Sequence, residues 1–215
     1  MPAADIVDLR NYLAERFPKT RLPANARLKT GLNNFDQVTG GGFPKGAITE
    51  LISPQISGGS ASFLHAIFRT AHHDRYFVGL IDGRDSLDPQ SLGNDCLRHL
   101  LWVRCSKALE AVKAADLLLR DGNFPLVIVD LILNPLEELR KIPQTSWYRL
   151  QRLVESAPTA CLILNRQSMV SSAQLKIVLE NSWELETLEN ENVISQLRFH
   201  VQRSHLNRAE SSAAS

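Results

Sequence analysis

Apolar runs alternate with amphipathic stretches through the middle of the chain. The runs AITELIS, YFVGLID, HLLWVRC, PLVIVDLI and TACLILN are mostly apolar, and each predicts a β-strand. PLVIVDLI has almost no polar residue until Asp130. The stretches between these runs have helical spacing and predict helices near 60–73, 89–96, 106–121 and 145–156. Strands without a polar face, separated by helices, are typical of a mostly parallel sheet with helices on both faces. We therefore expect an α/β fold.

The two ends of the chain follow other patterns. Residues 5–17 have apolar side chains at helical spacing and predict an amphipathic helix, which Pro18 ends before an extended linker. Near the other end, VLENSWELETLE and VISQLRFHVQR predict a C-terminal antiparallel hairpin with NEN as its turn. We expect an N-terminal helix arm with linker at 1–27, a core domain at 28–207 and a disordered tail at 208–215.

Composition narrows the class of protein without defining its partner. The formal net charge is +1, so a uniformly basic nucleic-acid surface is not indicated. The three cysteines, Cys96, Cys105 and Cys161, lack the spacing of metal ligands and indicate small core residues in a reducing compartment. No signal-peptide or membrane-spanning run is present in the sequence. We expect a cytoplasmic protein with no metal site and no membrane partner.

A glycine-containing segment follows the first apolar run and precedes the first core helix. Its spacing matches the phosphate-binding pattern G-x-x-x-x-G-K-[ST], with Ser53 and Gly58 at the two glycine positions and Ser60 at the hydroxyl position. Gly59 stands where the pattern requires the lysine that neutralises phosphate oxygens. The segment is therefore either a degenerate nucleotide loop or a plain turn between strand and helix.

The ordered series of segments is more specific than any one motif. From Leu28 to Leu206 the chain resembles the RecA family of P-loop ATPases. TGLNNFDQVTGGGFPKGAITEL resembles the family's entry into the first core strand, and LIDGRDSLDP resembles its second strand. The segment ending in LVIVDL resembles the Walker B strand, with Asp130 at the magnesium-side aspartate. CLILNRQ and LRFHVQRSHL resemble the following strand and a late strand that reaches a neighbour's nucleotide. This resemblance implies a RecA-like core.

Three positions depart from the family pattern. The loop lysine is replaced by Gly59, the family's catalytic glutamate by Arg84, and the late strand's lysine pair by Arg203 and His205. An always-charged guanidinium cannot act as the base that activates water. We therefore expect no competent ATP hydrolysis and no required cofactor, with ATP and magnesium as the alternative. The residues that would bind a nucleotide, if any binding is retained, are Ser53, Ser57, Gly58, Gly59, Ser60, Ala61 and Asp130.

The loops that contact DNA in the family are short here. Only nine residues, 166–174, follow the strand CLILN, and the connection 131–160 must also contain one or two helices. Five cations in these parts could follow a phosphate backbone, but charges on solvated helix faces are the favoured interpretation: Arg140, Lys141, Arg149, Arg152 and Arg166.

The chain has a long N-terminal segment, a strand LLWVRC followed by a long alanine-rich helix, and a helix WYRLQRLVES ahead of the next strand. In these features it resembles, among RecA relatives, the ImuA-type accessory proteins of translesion mutasomes, and next the SulA-type division inhibitors. The resemblance implies a non-catalytic accessory protein of the bacterial DNA damage and SOS response. Its expected partner is RecA or a mutasome polymerase subunit. An atypical ATPase that borrows Lys29 or Lys45 and a SulA-like inhibitor are the alternatives.

The N-terminal helix is the predicted partner-binding element. Its apolar stripe could dock on a protein partner, as a helix in a groove, or pack on the chain's own core. The stripe consists of Ile6, Leu9, Tyr12, Leu13 and Phe17.

Overall fold

The computed structural model describes residues 26–56, 58–181 and 193–204. In these residues the strands are β1 Arg27–Leu28, β2 Phe43–Pro44, β3 Ile48–Ile52, β4 Val78–Asp82, β5 Leu100–Arg104, β6 Leu126–Asp130, β7 Ala160–Asn165, β8 Leu175–Leu179 and β9 Phe199–Ser204. The helices are α1 Asn33–Thr39, α2 Ser60–His73, α3 Pro89–Leu97, α4 Ala108–Asp121, α5 Leu136–Arg140 and α6 Gln144–Glu155, and a 3-10 turn spans Val193–Gln196.

Strands β3 to β9 form one sheet in the order β5-β4-β6-β7-β3-β8-β9. All neighbouring pairs are parallel except β8 and β9, which are antiparallel. Strands β1 and β2 form a separate antiparallel pair. The carboxyl ends of the parallel strands share one edge, where ligands bind in open α/β sheets.

Side chains alternate between two apolar layers along each central strand. Leu126 and Ile128 of β6 pack under α1, α2 and α3, whereas Val127 and Val129 pack under α4, α5 and α6. Because every one of these four side chains is fully buried, the strand has no polar face. The sheet is thus covered on both faces, as the pattern of apolar runs predicts.

The prediction of an α/β fold with a mostly parallel sheet is confirmed. The predicted core strands and helices all appear within a few residues of their expected bounds. The cysteines are free and buried. In the described part of the chain, no helix is long and apolar enough to cross a membrane.

The C-terminal pairing is confirmed, but its bounds differ from the prediction. The first strand is Leu175–Leu179 rather than a strand that begins at Val178, and Val193–Gln196 forms a 3-10 turn rather than a strand. Lys176 interrupts the apolar pattern of β8, which is why its beginning was missed. The predicted turn NEN, the N-terminal helix and the tail at 208–215 lie outside the described residues.

Candidate functional site

Polar residues gather where the parallel strands end. Asp82 at the end of β4 is the register partner of Asp130 at the end of β6. Ser53 follows β3, and its N–H donates to the carbonyl of Asn165 at the end of β7, at 2.8 Å. The sheet therefore brings the predicted loop and the predicted Walker B aspartate to one edge.

The loop after β3 is held by its own hydrogen bonds. The Ser53 hydroxyl donates to the Gln55 carbonyl at 3.0 Å, and the Gly58 N–H donates to the same carbonyl at 3.1 Å. The Gly58 N–H is therefore not free to bind a phosphate. Gly59 has φ 94°, in the left-handed region, and begins α2 without a side-chain cap. A lysine at Gly59 would be strained in this conformation.

A cavity of about 320 Å³ lies beside the beginning of α2. We call it the acidic cavity. Its lining residues are Ile56, Ser60, Ala61, Leu64, His65, Phe68, Leu80, Asp82, Ser86, Leu87, Asp88, Ser91, Leu92, Asp130, Ile132 and Leu133. Of the predicted nucleotide-binding residues, the structure places Ser60, Ala61 and Asp130 in this lining. Ser53, Gly58 and Gly59 lie outside it, and Ser57 is not among the described residues.

Asp82 organises the segment that follows β4. Its buried carboxylate accepts hydrogen bonds from the backbone N–H groups of Arg84, Ser86 and Leu87, at 3.2, 2.7 and 2.8 Å. The Ser86 hydroxyl and the Trp102 indole N–H add two more, at 3.2 and 3.3 Å. Because it accepts five hydrogen bonds, the Asp82 carboxylate holds the segment that forms this wall of the cavity in place.

Asp130 is the less satisfied of the two carboxylates. Its Oδ1 accepts one hydrogen bond, from the Ile132 N–H at 3.0 Å. Burial of the carboxyl group raises the pKa of Asp130 to about 6, and the neighbouring charge of Asp82 adds to the shift. Asp82 and Asp130 thus give the cavity a negative character, because no lysine or arginine is among its described lining residues.

Arg84, at the position of the family's catalytic glutamate, turns away from the acidic cavity. Its Nη1 donates to the Ser106 carbonyl at 3.0 Å and lies 4.0 Å from the Glu138 carboxylate. The side chain therefore joins the segment after β4 to the segments around α4 and α5. It does not supply the cation that the loop lacks.

The two lysines considered as substitutes are at the other edge of the sheet. Lys45 precedes β3, whereas the loop follows it. Lys29 adjoins Thr30, whose carbonyl accepts a hydrogen bond from Thr70 near the far end of α2. Ten helical residues separate Thr70 from Ser60, which is about 15 Å. Neither lysine lines the acidic cavity.

The lining of the acidic cavity lacks the cations that would bind the oxygens of a nucleoside triphosphate. Among the described lining residues, Asp82, Asp88 and Asp130 are the charged groups, and no lysine or arginine is present. A triphosphate requires cations and free N–H donors at its oxygens. The cavity offers carboxylates, and the loop beside it has used one of its N–H groups internally.

A buried ion pair beside the loop was missed from the sequence. Glu50 in β3 is fully buried, and its Oε2 lies 2.7 Å from Nζ of Lys176 in β8. Its Oε1 accepts hydrogen bonds from Asn165 Nδ2 and from the N–H groups of Met169 and Val170, at 2.9, 2.7 and 2.9 Å. The signal in the sequence was a glutamate in the mostly apolar strand ITELI and a lysine in the mostly apolar strand LKIVL, which together could have predicted a buried ion pair.

The five cations considered for a phosphate track do not form one. Arg149 pairs with Asp116 through two hydrogen bonds, at 2.6 and 3.1 Å. Arg140 and Arg166 line one pocket, while Arg152 lines a different groove with Arg149. Lys141 is exposed and ends α5. The predicted partner-binding residues Ile6, Leu9, Tyr12, Leu13 and Phe17 lie outside the described residues.

The fold defines an α/β protein with a mostly parallel sheet, in which a glycine-containing loop joins β3 to α2. A family model described as the RecA N-terminal domain matches residues 20–155, and the chain belongs to that family. It is 33% identical to Protein RecA of Picosynechococcus sp. over 110 residues, which is 50% of this chain and 31% of that relative. It is 32% identical to Protein RecA of Nocardioides sp. over 145 residues, which is 63% of this chain and 41% of that relative. The chain therefore matches less than half of each relative's length.

Proposed function

We propose that this chain is a non-catalytic RecA-like accessory protein of the bacterial DNA damage response. In this role it acts in translesion synthesis by binding RecA or a mutasome polymerase subunit. The observation that supports this proposal most directly is the acidic cavity. Its described lining has three carboxylates and no lysine or arginine, and it includes Ser60, Ala61 and Asp130 of the residues that the family resemblance implies for a nucleotide.

Two further features support a role without ATP turnover. Gly59 adopts a left-handed conformation that disfavours the missing lysine. Arg84 replaces a water-activating base and is engaged with the Ser106 carbonyl. Both the phosphate-binding and the water-activating functions therefore lack a residue.

Exposed leucines support a protein-binding role. Leu109 and Leu117 lie two turns apart on α4 and are 45% and 67% exposed. They line a groove of about 380 Å³ between α4 and α6, together with Val112 and Leu150. Exposed leucines that line one groove are typical of a surface that a partner covers.

A turnover assay and a binding assay test the proposal together. We expect no magnesium-dependent ATP hydrolysis by the purified chain, with or without single-stranded DNA. We expect immobilised RecA or a mutasome polymerase subunit to bind the chain, and deletion of residues 1–22 to abolish that binding while the core stays folded. Turnover by the chain, or binding to neither protein, would overturn the proposal.

An atypical ATPase is the second candidate, favoured by the position of Ser60 beside Asp82 and Asp130. A hydroxyl and two carboxylates are oxygen ligands of the kind that magnesium prefers. Magnesium-dependent turnover that is lost in Asp130→Ala would establish this function instead.

A further inference from the structure

A second cavity lies at the same edge of the sheet, on the opposite face from the acidic cavity. Its volume is about 750 Å³. Leu139, Ile142 and Trp147 of its lining belong to the core layer under α4 to α6. We call it the arginine pocket, and its lining residues are Pro54, Leu136, Leu139, Arg140, Ile142, Gln144, Trp147, Arg166, Gln167, Ser168 and Met169.

The charge of this pocket is positive. Arg140 and Arg166 are its charged lining residues, and no carboxylate contributes to the lining. Neither guanidinium has a hydrogen-bond or ion-pair partner among the residues that the structure describes. By contrast, Arg84, Arg104, Arg120 and Arg149 are all paired with carboxylates. Two unpaired guanidiniums in one concave site favour an anionic ligand.

The walls of the pocket are fixed in place. The wall formed by residues 166–169 is anchored through the Met169 and Val170 N–H groups to the buried Glu50 carboxylate. Ser168 Oγ accepts a hydrogen bond from Lys176 Nζ at 2.8 Å. The next residues join the opposite wall, because the Ser171 hydroxyl donates to Gln144 Oε1 at 2.8 Å. A pocket held this way loses little conformational entropy on binding.

The floor of the pocket is apolar. Leu136, Leu139, Ile142 and Met169 are apolar residues of the same lining as the two guanidiniums. Trp147 is fully buried, so its ring offers no exposed face on which a base could stack. A binding site for single-stranded nucleic acid needs such faces and a longer row of cations. The size of the cavity fits a few side chains rather than an extended strand.

We propose that the arginine pocket binds a short acidic peptide segment of a protein partner. Carboxylate side chains of the peptide pair with Arg140 and Arg166, and an apolar side chain between them packs on Leu139, Ile142 and Met169. This inference rests on the proposed protein-binding role and names the surface and the chemistry of the partner. Arginine–carboxylate pairs at an otherwise apolar site give both affinity and specificity.

Selection from a displayed library of random 12-residue peptides tests this proposal with the full chain. The enriched peptide is labelled, and its Kd is measured by fluorescence anisotropy. We expect enriched peptides to contain acidic residues around an apolar one. The double variant Arg140→Gln/Arg166→Gln should weaken binding at least tenfold, as should replacing the peptide's carboxylates with amides. Arg69→Gln, at an exposed arginine of α2, is the matched control and should leave Kd within twofold.

Several results would overturn the proposal. They are the absence of enrichment, enriched peptides without acidic residues, and a Kd that the double variant does not change. A labelled 15-residue oligothymidylate that binds more tightly than any peptide, and loses affinity in the double variant, would assign the pocket to nucleic acid. If the variant Arg140→Gln/Arg166→Gln still bound RecA or the polymerase subunit and its Kd for the peptide were unchanged, the arginine pocket would not be the binding site. The proposed accessory role would be unaffected by that result. Failure of the proposed accessory role would leave the peptide measurement unaffected.

Discussion

The acidic cavity and the arginine pocket lie at the same edge of one sheet and carry opposite charge. The loop after β3 contributes to both, through Ile56 on one face and Pro54 on the other. On the acidic side, Asp82 and Asp130 end neighbouring strands, and no lysine or arginine is among the described lining residues. On the basic side, Arg140 and Arg166 have no anion. The comparison indicates that the acidic cavity offers no lysine or arginine to a phosphate, while the pocket on the opposite face offers two arginines without a partner among the described residues.

The buried ion pair between Glu50 and Lys176 lies near the strand edge that the two cavities share. Breaking this pair has the largest expected effect on the free energy of unfolding. Glu50→Ala leaves Lys176 buried without its partner and frees two backbone N–H groups. We expect the free energy of unfolding to fall by about 3–5 kcal/mol in urea denaturation. The arginine pocket should lose its peptide affinity at the same time.

Arg120→Ala is the control for that variant, because it removes an exposed ion pair with Asp116. Its expected cost is at most about 0.5 kcal/mol. Equal losses in the two variants would show that the Glu50 network does not hold the strand edge together. In the double variant Glu50→Gln/Lys176→Met, we expect part of the stability to return.

Asp130 in the acidic cavity predicts an unusual pH dependence of the free energy of unfolding. The pKa of Asp130 is raised from 3.8 to about 6, so the folded protein binds the extra proton between those values. The stability that this proton gives is present below about pH 4 and is lost as the pH rises through about 6. At about 1.4 kcal/mol per pKa unit, the expected loss is about 2–3 kcal/mol.

Asp130→Asn should remove this dependence and gain stability at pH 7 relative to the parent chain, as measured by denaturation at pH 4 and pH 7. Asp116→Asn is the control with the opposite sign. Burial raises the pKa of Asp116, but the hydrogen bonds from Arg149 and Arg120 lower it by more, so the net shift is downward. Replacing the Asp116 carboxylate should therefore reduce the free energy of unfolding at neutral pH. A parent chain that gains stability across this range, with Asp130→Asn unchanged, would contradict the account.

The loop between the two cavities should tolerate side chains at Gly59 poorly. We expect Gly59→Ala to cost about 1–2 kcal/mol, because φ is 94° and a Cβ is strained there. Gly59→Asn should cost less, since asparagine adopts this conformation more readily. Thermal denaturation of both variants measures the difference. An unchanged melting temperature in Gly59→Ala would mean that the loop can accept the conformation that a lysine requires.

The sequence was sufficient to predict most of the sheet. The strands at Leu126–Asp130 and Ala160–Asn165 are buried on both faces, and such strands leave an unbroken apolar run. The beginning of β8 was missed because Lys176 interrupts that run, and only the distant Glu50 explains why a lysine is buried there. The direction of Arg84 and the grouping of Arg140 with Arg166 depend on tertiary contacts, which spacing along a single chain does not encode.

Equilibrium binding of a fluorescent ATP analogue, by anisotropy with and without magnesium, tests the central claim most directly. The account predicts no binding up to about 1 mM, a concentration that corresponds to about 4 kcal/mol of affinity. Micromolar binding that requires magnesium and is lost in Asp130→Ala would contradict it, because the acidic cavity would then be a working nucleotide site.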